Sequence, residues 1–378
     1  MKRFLFIKLV AVMTCFVAGG LLAGVAAAGG KINIVQKAAE AVENVAVLGE
    51  VALSPEAEPQ VVISLVGDVL LADRVGDAIA AYGADYPWQD TARLLGHADV
   101  TIANLECTVS ERGEPIPEKQ YTFRAATDSI NGAANAGVDI LTLANNHVMD
   151  YGASAFLDTL RVIKEKNLRY AGAGVNEEEA FQPVLLEING FKIAVLAFSK
   201  VVPRTDWIAG KGRPGIASGH SSKLMLESIR SAAGKSDITV VCMHWGQETA
   251  EYPGREEINL AHRLVDAGAD VVVGHHPHVI QGMEFYRNKL IAYSLGNFIF
   301  TSSSQRAREG SIMQIVFDSG GGYTARIIPT FINSGATTVL RGDDRKKVLS
   351  RVNGLSSGFG TAVQENGVIS PKRESGGQ

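Results

Sequence analysis

The sequence predicts an α/β fold, and three observations carry that expectation. From Val61 onward, short β-branched runs alternate with segments whose apolar residues recur at helical spacing. Four of the runs share one pattern, in which an aspartate and an apolar stretch lead into a polar cluster: "ADVTIANLE", "VDILTLANNH", "SDITVVCMHW" and "ADVVVGHHPH". Two other pairs of runs are joined by turn residues, Asn189-Gly190 and Gly320–Gly322, and read as hairpins.

Taken in order, "VVISLV" (61–66) is the first strand. "DVTIAN" (99–104), "VDILTLA" (138–144), "DITVVCM" (237–243) and "DVVVG" (270–274) are the next candidates. Helices are expected at 153–166, 221–234 and 255–267. "EINGFKIAVLAF" forms one hairpin; "IMQIVF" and "TARIIPTFI" form the other. No long-period repeat is present. Ahead of these elements, Lys2, Arg3 and Lys8 precede an uncharged stretch from Leu9 to Gly30, with small residues "AAAGG" at 26–30. Residues 1–30 read as a signal peptide or N-terminal membrane anchor, which places the protein outside the cytoplasm, anchored at the membrane or secreted. Residues 31–60, rich in Ala, Glu and Val and ending "SPEAEPQ", read as a tether. The domain is expected over 61–335, and the polar, Gly/Ser-rich stretch 336–378 is expected to be a disordered tail.

Composition narrows the function. The chain has 378 residues, of which 46% are hydrophobic, and a formal net charge of -4. With no long basic run, nucleic acid is excluded as a partner. Cys15, Cys107 and Cys242 make no paired spacing, so neither a disulfide framework nor a cysteine zinc site is expected. Cys107 and Cys242 are expected as free buried thiols.

In open α/β sheets, ligands bind beyond the carboxyl ends of the strands. Five strand ends deliver Asp68, Glu106, Asn146 with His147, His244, and His275 with its neighbours; if the strands are neighbours, these residues meet along one rim. Such carboxylate, amide and imidazole donors suit a divalent ion, Zn, Mn, Fe, Ni or Co, and a carboxylate can bridge two ions. Three of the chain's 8 histidines fall within 275–278. His276 and His278 share a face if their segment is extended, and Pro277 stiffens the turn between them. Asp68 reads as a ligand or a helix cap, and Glu106 as a ligand or part of a solvated turn. In "NNHVMDYG", Asn146 suits the metal, His147 suits acid–base work, and Asp150 suits a cap on the next helix. "HWGQE" offers His244 as a ligand, Trp245 as a wall, and Glu248 as a second acid/base or ligand. Arg124, Lys200 and Asn297 are candidates for substrate binding; the first two read equally as surface charges and the third as a turn.

"GDVLLADRV", "ANLECTVS", "YTFRA", "LANNHVMDYG", "HWGQE", "GHHPHVIQG" and "YSLGNFIF" occur in that order over residues 67–300. The run resembles the CapA family, the bacterial capsule proteins of poly-γ-glutamate synthesis. The resemblance implies a fold related to calcineurin-like metallophosphoesterases, a β-sandwich flanked by helices with a metal centre at its strand ends. Carried over by motif, the ligands are Asp68, Glu106, Asn146, His244, His276 and His278, and His147 assists the leaving group. Two departures leave the count at one or two ions. The superfamily's first motif is Asp-x-His, whereas Val69 and Leu70 follow Asp68; its second commonly has Asp where this chain has Glu106. The implied partners are an anionic polymer, or a small phosphorylated or γ-glutamyl substrate, together with membrane synthase subunits. The implied reaction is metal-assisted attack of water on a phosphoester or amide. The rival expectation is a non-catalytic assembly or polymer-binding factor of the same pathway.

Overall fold

Phe191–Ser199 is apolar at nearly every position, so both faces of that strand must be covered. The computed structural model, which describes residues 58–372, shows how. Labels below cover the strands of the two main sheets and the helices of ten residues or more. The strands are β1 Gln60–Val69, β2 Val100–Leu105, β3 Ile140–Thr142, β4 Arg169–Ala171, β5 Val184–Ile188, β6 Phe191–Ser199, β7 Ile238–His244 and β8 Val271–His275. They continue with β9 Met283–Tyr286, β10 Lys289–Ala292, β11 Asn297–Ile299, β12 Glu309–Asp318, β13 Tyr323–Asn333, β14 Ala336–Val339, β15 Thr361–Val363 and β16 Val368–Pro371. The helices are α1 Asp73–Tyr82, α2 Gly152–Glu165, α3 Ser222–Ala233, α4 Arg255–Asp266 and α5 Gly342–Ser357.

The first sheet runs β15-β16-β13-β12-β1-β2-β3-β4, with β11 beside β1 and β14 beside β13; the second runs β9-β10-β8-β7-β6-β5. Alternation along β6 divides the layers. Ile193, Val195 and Ala197 enter the core between the sheets, where they meet Val61, Ile63 and Leu65 of β1 and Val240, Cys242, Val271 and Val273. Ala194, Leu196 and Phe198 face the other way, onto Met225 and Ile229 of α3 and Leu260 and Leu264 of α4. Outside the first sheet, Val66, Ala103 and Leu141 pack with Val75 of α1 and Phe156 and Leu160 of α2. Each fully buried aliphatic or aromatic side chain contributes about 1.5–3 kcal/mol of transfer free energy. The result is the β-sandwich flanked by helices that the resemblance implied. Cys107 and Cys242 are free and buried, as expected.

Both hairpins form. Asn189 and Gly190 take φ of 52° and 85°, the left-handed pair that a tight β5–β6 turn demands. β12 and β13 pair antiparallel across Gly320–Gly322.

Three expectations need correction. The strands that carry the polar clusters are not one row. β1, β2 and β3 are parallel neighbours in the first sheet, whereas β7 and β8 are parallel neighbours in the second, so the rim is made of two facing sheet ends. Next, the stretch from residue 336 to 372 is folded, and the domain extends beyond 335. β14 pairs with β13, β16 with β13 and β15, and Val348, Leu349 and Val352 of α5 enter the core between the sheets. The helix is polar around the rest of its surface, so its mean composition hid a narrow apolar stripe. Finally, Asp150 does not cap α2, whose N-cap is Tyr151 without a side-chain bond. Residues 1–30, most of the tether and 373–378 lie outside the described residues. No helix among the described residues is long and apolar enough to cross a membrane.

Candidate metal centre

The parallel register brings the strand ends level. Asp68 lies opposite Asn104 on one side and Asn297 on the other, and His244 lies opposite His275. Gly67 makes this possible, because a Cβ there would sit 1.8 Å from the Gly296 carbonyl oxygen. The ends of the two sheets then meet through side chains.

Asp68 is completely buried and densely bonded. Oδ1 accepts from Asn104 Nδ2 at 2.8 Å and lies 3.1 Å from His275 Nδ1. Oδ2 accepts from the His276 backbone N–H at 3.2 Å and lies 3.2 Å from His278 Nδ1. Burial works to raise this carboxyl, but the bonds from His275 and His278 prevail and hold it well below the usual carboxylate range. Asn104 is itself fixed by Thr142 Oγ1 and Asn145 Nδ2, both 3.2 Å from its Oδ1.

Glu106 is equally buried, yet among the described residues neither of its carboxyl oxygens has a hydrogen-bond partner; His276 Nδ1 is likewise buried and unpartnered there. Burial, with Asp68's charge second, pushes the Glu106 carboxyl well above its usual range. Around it, His244 Nε2 stands 3.6 Å and His278 Nε2 3.8 Å from Oε1, beyond hydrogen-bond length. Two donor sets lie with their ligand atoms within 4.8 Å of one another: Glu106, His276 and His278, and Asp68, Glu106 and His244. Glu106 belongs to both. Asn146 joins the second set through Oδ1, 2.7 Å from His244 Nε2. Burial lowers His276 to about 4 and His244 well below its ordinary value, so both rings are neutral at physiological pH and offer lone pairs. Burial alone would lower His278 too, but Glu106 and Asp68 push it up to about 10. Bare carboxylate oxygens, neutral imidazoles and an amide oxygen are the donors a divalent ion takes, and a cation would reverse the penalty on ionised Glu106.

The segment that supplies His276 and His278 is not extended. Both residues have left-handed backbones, φ 94° and 59°, on either side of Pro277. Their shared access to Glu106 comes from that conformation, which costs about 1–3 kcal/mol per residue and marks a constrained site.

His147 sits apart from its neighbour Asn146. Its Nδ1 is 2.7 Å from Asp150 Oδ2 and 3.0 Å from Lys119 Nζ. Among the described residues its Nε2 makes no hydrogen bond, and that atom is not fully buried. Burial lowers this imidazole, while Asp150 opposes the shift.

Other expected residues fall elsewhere. Glu248 is exposed, in a loop held to the centre by a 2.8 Å bond from Thr249 N to the Pro277 carbonyl. Arg124 is exposed but engaged, stacked 4.4 Å over Tyr151 and bonded to the Gly113 carbonyl. Lys200 turns to His220, 3.2 Å away, in a separate pocket. Asn297 is not placed to bind substrate. It is buried, its Oδ1 is 2.8 Å from His278 Nδ1, and its Nδ2 donates to the Ala307 carbonyl. Trp245 is packing, with Nε1 donating to the Tyr293 carbonyl. The sequence reading passed over Asn104, Asn145, Lys119 and Asp150's true role. Only the first two carried a signal, as amides at strand ends beside assigned residues.

A sequence model of the family described as "Bacterial capsule synthesis protein PGA_cap" matches residues 62–302. "Capsule biosynthesis protein CapA" of Bacillus anthracis is 33% identical over 281 residues, covering 72% of this chain and 68% of the relative. "PGA biosynthesis protein CapA" of Bacillus subtilis (strain 168) is 30% identical over 305 residues, 80% of each. A 5'-nucleotidase structure from Candida albicans SC5314 superposes with a TM-score of 0.37 at 9% identity, over 72% of this chain and 54% of that one. At that value the superposition carries no argument about activity.

Proposed function

Because the chain belongs to the bacterial capsule synthesis protein family, we propose that it serves the biosynthesis of a poly-glutamate capsule through a metal-dependent, hydrolase-type site. The observation that carries the metal is the pair of buried, unpartnered Glu106 oxygens facing the imidazoles of His244, His276 and His278. Buried polar atoms are otherwise almost always bonded. Glu106, His276 and His278 would hold one ion; Asp68, Asn146 and His244, with Glu106 shared, would hold a second. A divalent ion there supplies Lewis acidity toward an anionic substrate and toward water.

The chain's own residues do the rest. Asn104 and His275 fix Asp68, and Asn297 orients the His278 ring by accepting a hydrogen bond from its Nδ1–H, the usual arrangement behind a metal-bound imidazole. His147 holds one proton on Nδ1 against Asp150 and keeps the Nε2 lone pair toward the solvent side, where it can take up a proton and then pass that proton to a departing oxygen or nitrogen. The substrate class is a phosphoester or a γ-glutamyl amide, and membrane synthase subunits are the proposed partners. The N-terminal basic and uncharged segments support export, testable by fractionating cells that express the full chain.

The deciding experiment is elemental analysis of the purified chain, followed by a panel of phosphoesters and γ-glutamyl peptides. Bound metal and turnover of one class are expected. Metal without turnover on any class would reduce the protein to a binding factor of the same pathway. A chain that takes up no divalent ion would overturn the proposal.

A further inference from the structure

The loop between Ser110 and Phe123 reaches the Asn146-His147 corner of the candidate centre, where Lys119 ties it down. Lys119 is mostly buried, with 16% of its side chain exposed. Its Nζ donates to the Asn146 carbonyl at 2.5 Å, pairs with Asp150 Oδ1, and lies 5.2 Å over the Trp207 ring. Asp150 also receives the loop's backbone, Ile116 N–H on its carbonyl and Phe123 N–H on Oδ2, both at 2.8 Å. The same Oδ2 is 2.7 Å from His147 Nδ1, and the Phe123 ring packs 4.7 Å from the imidazole. Loop, carboxylate and imidazole are therefore one bonded unit, and Lys119 is the cation paired with its carboxylate.

We propose that Lys119 is a positioning residue: by neutralising and immobilising Asp150, it fixes the tautomer and orientation of His147. The chemistry follows from the donor count. Asp150 accepts from Lys119, Phe123 and His147, so its carboxylate cannot rotate without losing all three bonds. Nδ1 has two neighbours, and the nearer is the carboxylate. The proton therefore stays on Nδ1, and Nε2 keeps its lone pair toward solvent. Without the ammonium, Asp150 is a buried anion short of a partner and is free to swing toward water. The Nδ1 proton then has no fixed acceptor. Lys119 itself touches neither Glu106 nor any imidazole of the metal sets.

The inference rests on the proposed role of His147, and its test reads position rather than turnover. The full chain is labelled with 15N-histidine in wild-type form and as Lys119→Met and Lys119→Arg. The His147 imidazole resonances are assigned with His147→Gln, and metal content is measured in parallel. In the wild type, a slowly exchanging Nδ1–H is expected. In Lys119→Met it should be lost or move to Nε2, with metal content unchanged. Thermolysin cleavage between residues 113 and 122 should rise about tenfold, the effect of losing one charge-assisted bond on local opening. Lys119→Arg should restore the resonance. Faster cleavage with unchanged His147 resonances would make Lys119 a loop anchor only and overturn the inference, as would no change in either. Should Lys119→Met fail to fold, Lys119→Gln, which keeps an N–H donor, is read the same way. A wild type without metal would sink the proposed function, yet the His147 resonances would still decide this inference.

Discussion

Asp68 and Glu106 are carboxyl groups at the ends of adjacent strands, and both are fully buried. Asp68 is met on both oxygens by Asn104, His275, His278 and a backbone N–H; Glu106 has no hydrogen-bond partner among the described residues. Burial penalises both, but one is held ionised and the other is pushed toward its neutral form. Equal burial therefore does not mean equal duty. Asp68 bonds groups from both sheet ends, whereas Glu106 stands between two imidazoles with its oxygens unbonded, as the proposed metal site requires.

The largest way to break this contrast is Asp68→Ala. Leaving His275 and His278 without their buried acceptor should cost about 3–5 kcal/mol in chemical denaturation with chelator present. If that variant is as stable as wild type, Asp68 is not the anchor. Glu106→Gln should behave in the opposite way. With chelator it should unfold within about 1 kcal/mol of wild type, since no bond is lost, while metal uptake collapses. A large stability loss in chelator would show that Glu106 has a structural partner.

Asn297→Ala sharpens the comparison from β11, Asp68's other neighbour in the first sheet. It removes the nearer of the two acceptors behind His278, Asp68 being the other, and should weaken metal affinity about 10–100-fold, measured by competition with a chromogenic chelator. Unchanged affinity would mean that His278 is not a ligand.

The smallest effect is a proton count. His278, at about 10, carries a proton at neutral pH that a metal must displace, and Glu106 is pushed in the same direction; neutral His244 and His276 release none. Affinity should therefore fall as pH drops below about 10, where His278 gains its proton. Titration calorimetry in two buffers of different ionisation enthalpy should report release of about one to two protons per chain. Heats that are the same in both buffers would contradict the assignment.

Much of this was legible in the sequence, for a physical reason. Strands buried on both faces are apolar throughout, so a polar residue at their ends stands out; that is how Asp68, His244 and the 275–278 cluster were found. The division of those strands between two sheets was not legible, because pairing is nonlocal and an apolar run does not name its neighbour. Asp150 misled, since a cap and a buried hub have the same local sequence. Lys119 gave no signal, being one charge in a loop. The fold of α5 was readable in principle from Val348, Leu349, Val352 and Leu355, but the polar residues between them outweighed the spacing.

The two sheets differ in one further respect, and it bears on the order in which the molecule comes into being. The second sheet is built from one continuous stretch, residues 184–292, whereas the first takes its strands from 60–171 and again from 297–371. During synthesis the second sheet can therefore be complete while the first is still half made. Strands β1 to β4 must wait for β12 and β13 to arrive and pair. The sequence separation of those contacts makes closure of the first sheet the slow step. The candidate ligands span residues 68–278, so none of the centre exists until sheets made at different times have met.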